Sequence, residues 1–231
     1  MSHYIDLNSD LGESFGNYTL GMDSEVLNHV TSANVACGWH AGDPLIMEAT
    51  VCMCKEKGVA VGAHPGYPDL MGFGRRAMAV NPGEAKAYMI YQLGALQAFC
   101  DSYGVTLQHM KLHGAFYNTA CVTPALADAV LDGLQAVNPN IAAMVLSGSY
   151  IAKEAQRRGI PVIQEVFADR GYTDEGTLVP RTEPGAFIKD PQEALERVLM
   201  MVKEGKVVTN TGNTIDIVAD SICVHGDNPE A

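Results

Sequence analysis

Short apolar runs alternate with longer segments of helical periodicity along the whole chain, and this alternation constrains the fold more than any other feature. It is the pattern of repeated β/α units around a parallel sheet. We predict seven strands, near residues 4–8, 33–37, 60–64, 109–113, 142–147, 162–167 and 216–224. Seven is close to the eight strands of a closed barrel. The chain is therefore predicted to be an α/β protein, an incomplete parallel β/α barrel of about seven strands that occupies residues 1–231 as one domain.

Capping residues mark the ends of the helical segments. Asp43 is predicted as an N-cap before Pro44, and Gly58 closes the apolar-periodic stretch that follows. Three more helices carry similar signals, and they are predicted at 81–104, from 123 onward, and at 190–205. Two segments rich in turn residues are predicted as long loops at the catalytic face, 66–79 and 178–186.

The charge balance argues against a nucleic-acid partner. The chain has 15 Lys and Arg against 27 Asp and Glu, a net charge of −12, and no basic run. No apolar run reaches the length of a membrane span, and the first residues lack the features of a signal peptide. We therefore expect a cytoplasmic protein without membrane or nucleic-acid contacts, whose partners are a small molecule or other proteins. Its six cysteines are expected to stay reduced and buried.

Polar side chains crowd the carboxyl ends of the predicted strands. In a β/α barrel these ends open onto one face, and that face carries the active site. Asp6, Asn8 and Asp10 alternate along the first strand, so all three side chains point to the same side of it. The residues at strand ends are Asp6, Asn8, Asp10, Glu13, Asn34, Cys37, His40, His64, Lys111, His113, Glu165, Asp169, Arg170, His225 and Asp227. Several titratable groups that converge on one mouth indicate an enzyme.

Single members of this set also have structural explanations. An isolated Asp or Asn after a strand is commonly a helix cap, and His40 or His64 alone is more often a packed core histidine. The convergence of His64 with His113 favours function. Arg75 and Arg76 fit either a solvated loop or an anion clamp, because a guanidinium offers a planar fork of donors. The sequence has no P-loop and no dinucleotide-binding fingerprint.

Six parts of the sequence resemble the LamB/YcsF family, and together they span almost the whole chain. They are Asp6-Leu-Asn-Ser-Asp-Leu-Gly-Glu13, Ala33-Asn-Val-Ala-Cys-Gly-Trp-His-Ala-Gly-Asp-Pro44, Gly62-Ala-His-Pro-Gly-Tyr-Pro-Asp69 with Gly72-Phe-Gly-Arg-Arg76, Lys111-Leu-His-Gly-Ala-Phe-Tyr-Asn118, Glu165-Val-Phe-Ala-Asp-Arg170 and Cys223-Val-His-Gly-Asp227. Two positions depart from the common pattern, Trp39 for Phe and Leu112 for Pro. Neither removes a polar group, so the functional resemblance is kept.

The resemblance implies a fold similar to the glycoside hydrolase/deacetylase type of barrel and a hydrolase that acts on a cyclic amide. The implied reaction is the ATP-dependent opening of the lactam of 5-oxoproline to L-glutamate, shared with two partner subunits. The partners would use ATP to activate the lactam, which agrees with the missing P-loop. This chain would then need mainly acid–base groups and charge stabilisation to complete the opening.

The implied reaction suggests a role for each candidate residue. Asp10 or Glu13 would be the base that activates water. His64 and His113 would stabilise the oxyanion or protonate the departing nitrogen. Asn8 and Asn34 would bind the lactam. The substrate carboxylate would be held by Arg75, Arg76 or Lys111. The mouth would be completed by His40, Glu165, Asp169, Arg170 and His225.

Two alternatives stay open. Asp10, His64 and His113 look like the Asp-His-His set of related barrel deacetylases, which would make the chain a metal-dependent deacetylase or amidohydrolase that acts alone. The same groups also suffice for metal-free acid–base catalysis. The third reading is a non-catalytic lactam-binding or regulatory module, which has no need of converging Asp and His. Both catalytic readings predict that Asp10, His64 and His113 meet at one solvent or metal site.

Overall fold

Seven parallel strands close into a barrel in the computed structural model, which describes residues 4–224. The strands in chain order are β1 (Asp6–Leu11), β2 (Ser32–Ala36), β3 (Ala60–His64), β4 (Leu107–Met110), β5 (Ala142–Leu146), β6 (Val162–Phe167), β7 (Lys206–Val208), β8 (Thr214–Asp216) and β9 (Ser221–Cys223). The barrel contains β1 to β6 and β9, and it closes because β9 pairs with both β6 and β1. The strands β7 and β8 form a separate antiparallel hairpin.

Helices connect most of the barrel strands. They are α1 (Asp23–Val26), α2 (Pro44–Lys57), α3 (Pro82–Tyr103), α4 (Gly114–Val122), α5 (Pro124–Val137), α6 (Tyr150–Arg157) and α7 (Pro191–Glu204). The predicted cap of α2 is confirmed: Asp43 accepts from the backbone N–H groups of Leu45 and Ile46, and Gly58 ends the helix at φ 69°. Within residues 4–224 no single helix is long and apolar enough to cross a membrane. The helices α4 and α5 meet that test only as a pair, across a bend of 115°.

The predicted parallel β/α barrel is confirmed, and the structure differs from it in detail. The barrel is closed rather than incomplete, because β9 fills the gap between β6 and β1. The predicted last strand, 216–224, is divided, since Asp216 pairs with Lys206 in the hairpin and only Ser221–Cys223 enters the barrel. The helix α4 was not predicted. Its N-cap residue, His113, makes no side-chain capping bond, so the sequence carries no start signal there.

The barrel interior below the mouth is polar. Asn8, Asn34 and His109 have no solvent exposure. Nδ2 of Asn34 donates to Oδ1 of Asn8 at 2.8 Å, and Nε2 of His109 lies 2.7 Å from Oδ1 of Asn34. Nδ2 of Asn8 donates to the hydroxyl of Ser221 at 2.7 Å, which links β1 to β9. Buried polar groups that satisfy one another in this way form a rigid base for the side chains above them.

Gly62 of β3 faces His109 in this interior, and a methyl group has no room there. A Cβ on Gly62 would lie 2.0 Å from Nε2 of His109. We expect Gly62→Ala to lower the free energy of unfolding in urea by roughly 1–3 kcal/mol or more, as overpacking does. The control is Gly94 in the middle of α3, where a Cβ meets no atom within 4 Å. Gly94→Ala should stabilise by about 0.5–1 kcal/mol, and equal effects at both glycines would contradict this packing.

Candidate active site

A lysine and two carboxylates form one ion cluster in the mouth of the barrel. Nζ of Lys111 lies 3.0 Å from Oδ1 of Asp10 and 2.7 Å from Oε1 of Glu165. Asp10 is on β1, Glu165 is on β6, and Lys111 follows β4, so three strands contribute. The side chains of Lys111 and Glu165 are buried, whereas that of Asp10 is 14% exposed. Asp10 is therefore the member of the cluster that a ligand can reach.

The surroundings of Lys111 set the charge states of this cluster. Burial acts against its ammonium, but Asp10, Cys223 and Glu165 outweigh burial and hold the pKa of Lys111 well above its usual value. Burial raises the pKa of the Cys223 thiol well above its usual value, although Lys111 acts in the opposite direction. Burial and then Glu165 raise the pKa of Tyr117, whose hydroxyl donates to Oε2 of Glu165 at 2.8 Å. At neutral pH the cluster holds a charged ammonium beside a neutral thiol and a neutral phenol.

Three histidines form the other side of the mouth. The rings of His40 and His113 stack with their centroids 3.7 Å apart and their planes within 6°. Nε2 of His64 lies 2.9 Å from Nδ1 of His113 and 3.3 Å from Oδ2 of Asp10. Oε1 of Glu13 lies 3.1 Å from Nε2 of His40 and 3.5 Å from Nδ1 of His113. Of the three groups predicted to converge, His64 therefore lies next to both Asp10 and His113.

Backbone carbonyl groups fix the hydrogens of two of these imidazoles. Nδ1 of His64 donates to the carbonyl oxygen of Lys111 at 2.8 Å, and Nε2 of His113 donates to that of Phe73 at 2.8 Å. A carbonyl oxygen only accepts, so both of these ring nitrogens carry a hydrogen. Nε2 of His64 and Nδ1 of His113 then face each other with lone pairs whenever both rings are neutral. Their separation of 2.9 Å is favourable only with a proton or a cation between them.

The histidine side of the mouth has the donor set of a metal site. One ligand atom each from Glu13, His40, His64 and His113 lies within 4.8 Å of the others. Burial first, and then neighbouring histidines, lower the pKa values of His40 and His113 well below the usual range, and neutral imidazoles are the form that binds metals. Imidazole and carboxylate donors suit divalent cations such as Zn²⁺. This set has Glu13 and His40 where the predicted set had Asp10.

The loop 66–79 covers the histidines. Phe73 has φ 53°, a left-handed conformation that is unusual for an aromatic residue, and its carbonyl oxygen receives the bond from His113. Its ring packs edge-on against both His40 and His113. A Cβ on the following residue, Gly74, would lie 2.8 Å from atoms of both histidines. Strained backbone next to buried titratable groups is typical of a functional site.

A pocket opens between the ion cluster and the loops of the mouth. Its lining includes Asp10 and the buried His64, Lys111, His113 and Arg170, and on its exposed, outer side Arg75 and Arg181. A second pocket, which shares Asp10 with the first, is also lined by Glu13, Leu20 and Phe73. Asp10 borders both pockets, so a ligand in either one can meet its carboxylate.

Asn8 and Asn34 lie below the mouth rather than on its surface. Nδ2 of Asn34 donates to Oδ1 of Asp10 at 2.9 Å, and Nζ of Lys111 donates to Oδ1 of Asn8 at 3.2 Å. Both amides are fully buried and bonded to protein groups. We therefore expect the two asparagines to position Asp10 and Lys111, in place of the predicted contact with a lactam.

Arg76 lies apart from the pocket. Its guanidinium pairs with Asp69, and its side chain is 66% exposed. The backbone N–H of Gly72 donates to the same carboxylate at 2.9 Å, so this ion pair shapes the loop. Arg75 does border the pocket. Of the two adjacent arginines, Arg75 is therefore the one that the structure places at the pocket.

The remaining predicted residues take different places. Glu165 is fully buried behind Lys111. Arg170 is buried and donates to the backbone carbonyl oxygens of Ala186 and Val179. Asp169 lies beside Arg170 in the segment after β6, and its own carbonyl accepts from the N–H of Ile188. His225 and Asp227 lie outside the described residues.

Several residues of the site were not found from the sequence. His109 precedes Lys111 and His113 at a spacing of two, so strand alternation was a signal that it faces the interior. Tyr117 lies one helical turn beyond His113 and reaches Glu165. Phe73 and Arg181 had no recognisable signal, because their places depend on loop conformations that no local pattern specifies.

The fold and the mouth define the class: a parallel β/α-barrel protein whose strand ends carry carboxylates, imidazoles and a buried lysine. Residues 5–231 match the model of the LamB/YcsF family, and the chain belongs to that family. A 5-oxoprolinase subunit of Fusobacterium nucleatum is 63% identical over 231 residues, which cover 100% of this chain and 90% of the relative. Its counterpart in Pyrococcus abyssi, which has the same name, is 56% identical over 227 residues, 98% of this chain and 89% of the relative. The lactam utilization protein from Thermus thermophilus has a similar solved structure, with a TM-score of 0.93 and 45% identity over 99% of this chain and 92% of that one.

Proposed function

We propose that this chain is the subunit of a 5-oxoprolinase that opens the lactam of 5-oxoproline to L-glutamate. The observation that carries the proposal is the placement of Asp10. Its Oδ1 is held by Lys111 and Asn34, while its Oδ2 faces His64 at 3.3 Å beside the pocket. A carboxylate next to an imidazole supplies the base and the acid that amide hydrolysis requires. The names of the relatives indicate a lactam as the substrate.

Lactam opening breaks one C–N bond and consumes one water. Asp10 takes a proton from the water as its oxygen bonds to the ring carbonyl carbon. The electron pair of the C–N bond then goes to the nitrogen, which His64 or His113 protonates, and the proton taken up by Asp10 replaces it on the imidazole. The products are a carboxylate and an amine, as in glutamate. The ammonium of Lys111 and the amide of Asn34 keep Asp10 in place throughout.

The lactam has to be activated first, because amide resonance makes its carbonyl carbon a poor electrophile. In the proposal, two partner subunits use ATP to phosphorylate the lactam oxygen, and this chain adds water to the activated carbon and breaks the C–N bond. Opening of the phosphorylated ring leaves an acyl phosphate, and a second water then releases inorganic phosphate and the carboxylate of glutamate. The absence of a P-loop from the sequence supports that division of labour. The relatives are named as one subunit of a 5-oxoprolinase, which supports a complex of several chains.

A second candidate function is a metal-dependent amidohydrolase or deacetylase that acts alone. The observation in its favour is the pair of facing lone pairs on His64 and His113, with Glu13 and His40 completing a donor set. A divalent cation held there would polarise a carbonyl group or bound water. The residues fit such an ion, and Asp10 would remain the neighbouring base.

Reconstitution tests the proposed function. The purified chain, given ATP and 5-oxoproline, should neither hydrolyse ATP nor release glutamate, because its sequence has no P-loop to hold the phosphates of ATP. With both partner subunits present, glutamate should appear in step with ADP, measured by coupled assays. Robust ATP hydrolysis by the chain alone would contradict the shared reaction.

The same assay separates the other readings. Glutamate release by the complex that survives exhaustive chelation would exclude an essential metal. Hydrolysis of acetylated amines by the chain alone, restored by Zn²⁺ after chelation, would establish the second candidate instead. Binding of 5-oxoproline without turnover under any condition would leave a non-catalytic lactam-binding module.

A further inference from the structure

Charge is divided across the mouth pocket. On the inner side the carboxylate of Asp10 is matched by the ammonium of Lys111 at 3.0 Å. Three arginines also line the pocket: Arg75 and Arg181, which are exposed and mark its outer side, and the buried Arg170. The chain as a whole carries a net charge of −12, so a pocket lined by three arginines is unusual for this chain. A pocket with this arrangement fits a ligand with an anionic group on its outer side.

Arg170 and Phe187 hold Arg181 in place. The buried guanidinium of Arg170 donates to the carbonyl oxygens of Ala186 at 3.0 Å and Val179 at 2.7 Å, on either side of Arg181 in the chain. The ring of Phe187 lies 5.1 Å from the guanidinium carbon of Arg170 and 5.2 Å from that of Arg181. Cation–π contacts of this kind orient a guanidinium without using its hydrogen-bond donors.

The like charges of these arginines act on one another. Burial first, and then Arg181 and Arg75, lower the pKa of Arg170 to about 10, against the opposing charge of Asp169. Arg75 and Arg181 also border an adjoining pocket, with Gly114 and Asn118 common to both. The two arginines therefore line both pockets, and the first of these pockets also contacts Asp10.

We propose that Arg75, Arg170 and Arg181 form an oxyanion subsite, in which Arg181 determines specificity for an anionic ligand. Arg170 fixes the loop, and Arg75 and Arg181 contact a carboxylate or a phosphoryl group. This inference deepens the proposed function and rests on it for the identity of the lactam. An anion held on the outer side directs the amide of a lactam acid toward Asp10 and His64. Two guanidinium groups at the pocket also suit a ligand with two anionic groups, as a phosphorylated lactam acid has.

Calorimetric titration of the full chain tests the subsite. The ligands are 5-oxoproline, inorganic phosphate, and 2-pyrrolidinone, which has the lactam ring without the carboxylate. We expect Arg181→Ala to weaken binding of 5-oxoproline, phosphate or both by about tenfold or more, as the loss of a charged hydrogen bond does, and to leave 2-pyrrolidinone unchanged. The matched control is Arg157→Ala, since Arg157 is 72% exposed on α6 and pairs with Glu154.

The outcomes distinguish the subsite from the proposed function. A loss for 5-oxoproline alone identifies a carboxylate subsite, a loss for phosphate alone identifies a phosphoryl subsite, and a loss for both indicates that either group binds. Arg181→Lys, which keeps the charge without the planar fork, should fall between wild type and alanine. Unchanged affinity for both anions in Arg181→Ala, or no binding of either by wild type, overturns the subsite. Phosphate binding that depends on Arg181, with no binding of 5-oxoproline, would retain the subsite and refute the lactam function.

Discussion

Lys111→Met is expected to lower the free energy of unfolding by about 3–5 kcal/mol, the cost of removing one partner from a buried ion cluster. Methionine has a similar length, so little packing is lost. Glu165, which is fully buried, would lose the ammonium that now lies 2.7 Å away. Asp10 would lose its contact at 3.0 Å as well. Urea unfolding followed by circular dichroism measures the change.

Two further variants make this result specific. Lys153→Met removes a lysine from the exposed face of α6 and should change stability by less than about 0.5 kcal/mol. The double variant Lys111→Met/Glu165→Gln should recover part of the loss, because the uncompensated carboxylate is gone. A destabilisation below about 1 kcal/mol in the single variant, or no recovery in the double variant, would show that the cluster is not the buried ion network described above.

Most of the barrel was predictable because its longer strands and its capped helices carry local signals. The run at Ala60–His64 and the cap at Asp43 are recognisable from neighbouring residues alone, and both are confirmed. Closure was not predictable, because it depends on β9, only three residues long, pairing with two strands far away in the sequence. Short strands are defined by their partners more than by their own residues.

Part of the candidate site was also predictable from the sequence, and part was not. Asp10, His64 and His113 could be placed together because residues at the ends of parallel strands share one face. The roles of loop residues could not be assigned from spacing: Arg75 and Arg76 are adjacent, yet one borders the pocket and the other pairs with Asp69. Which side of a loop faces the barrel depends on tertiary contacts, such as the one between His113 and the left-handed Phe73.

Asp10→Asn is expected to reduce lactam opening by the assembled complex about 10²–10⁴-fold, the usual contribution of a general base. The fold should be kept, because asparagine has nearly the same volume and Lys111 retains Glu165 at 2.7 Å. Glutamate release measures turnover, and urea unfolding measures the fold. The matched control is Asp132→Asn on α5, whose side chain is 49% exposed and pairs with Arg158. If Asp10→Asn turns over as fast as wild type, Asp10 is not the base.

Glu13→Gln separates acid–base catalysis from metal catalysis when it is compared with Asp10→Asn. Oε1 of Glu13 lies 3.1 Å from Nε2 of His40 and 3.5 Å from Nδ1 of His113, so this carboxylate pairs with the two imidazoles. Asp10, in contrast, borders the pocket that Lys111 and His64 also line. If Asp10 is the base and no metal is needed, Asp10→Asn costs more turnover than Glu13→Gln, and neither variant changes the metal content of the purified protein. If the four-residue donor set holds a metal, Glu13→Gln lowers both metal content and turnover. Metal analysis of the two variants beside wild type, read together with turnover, decides between them.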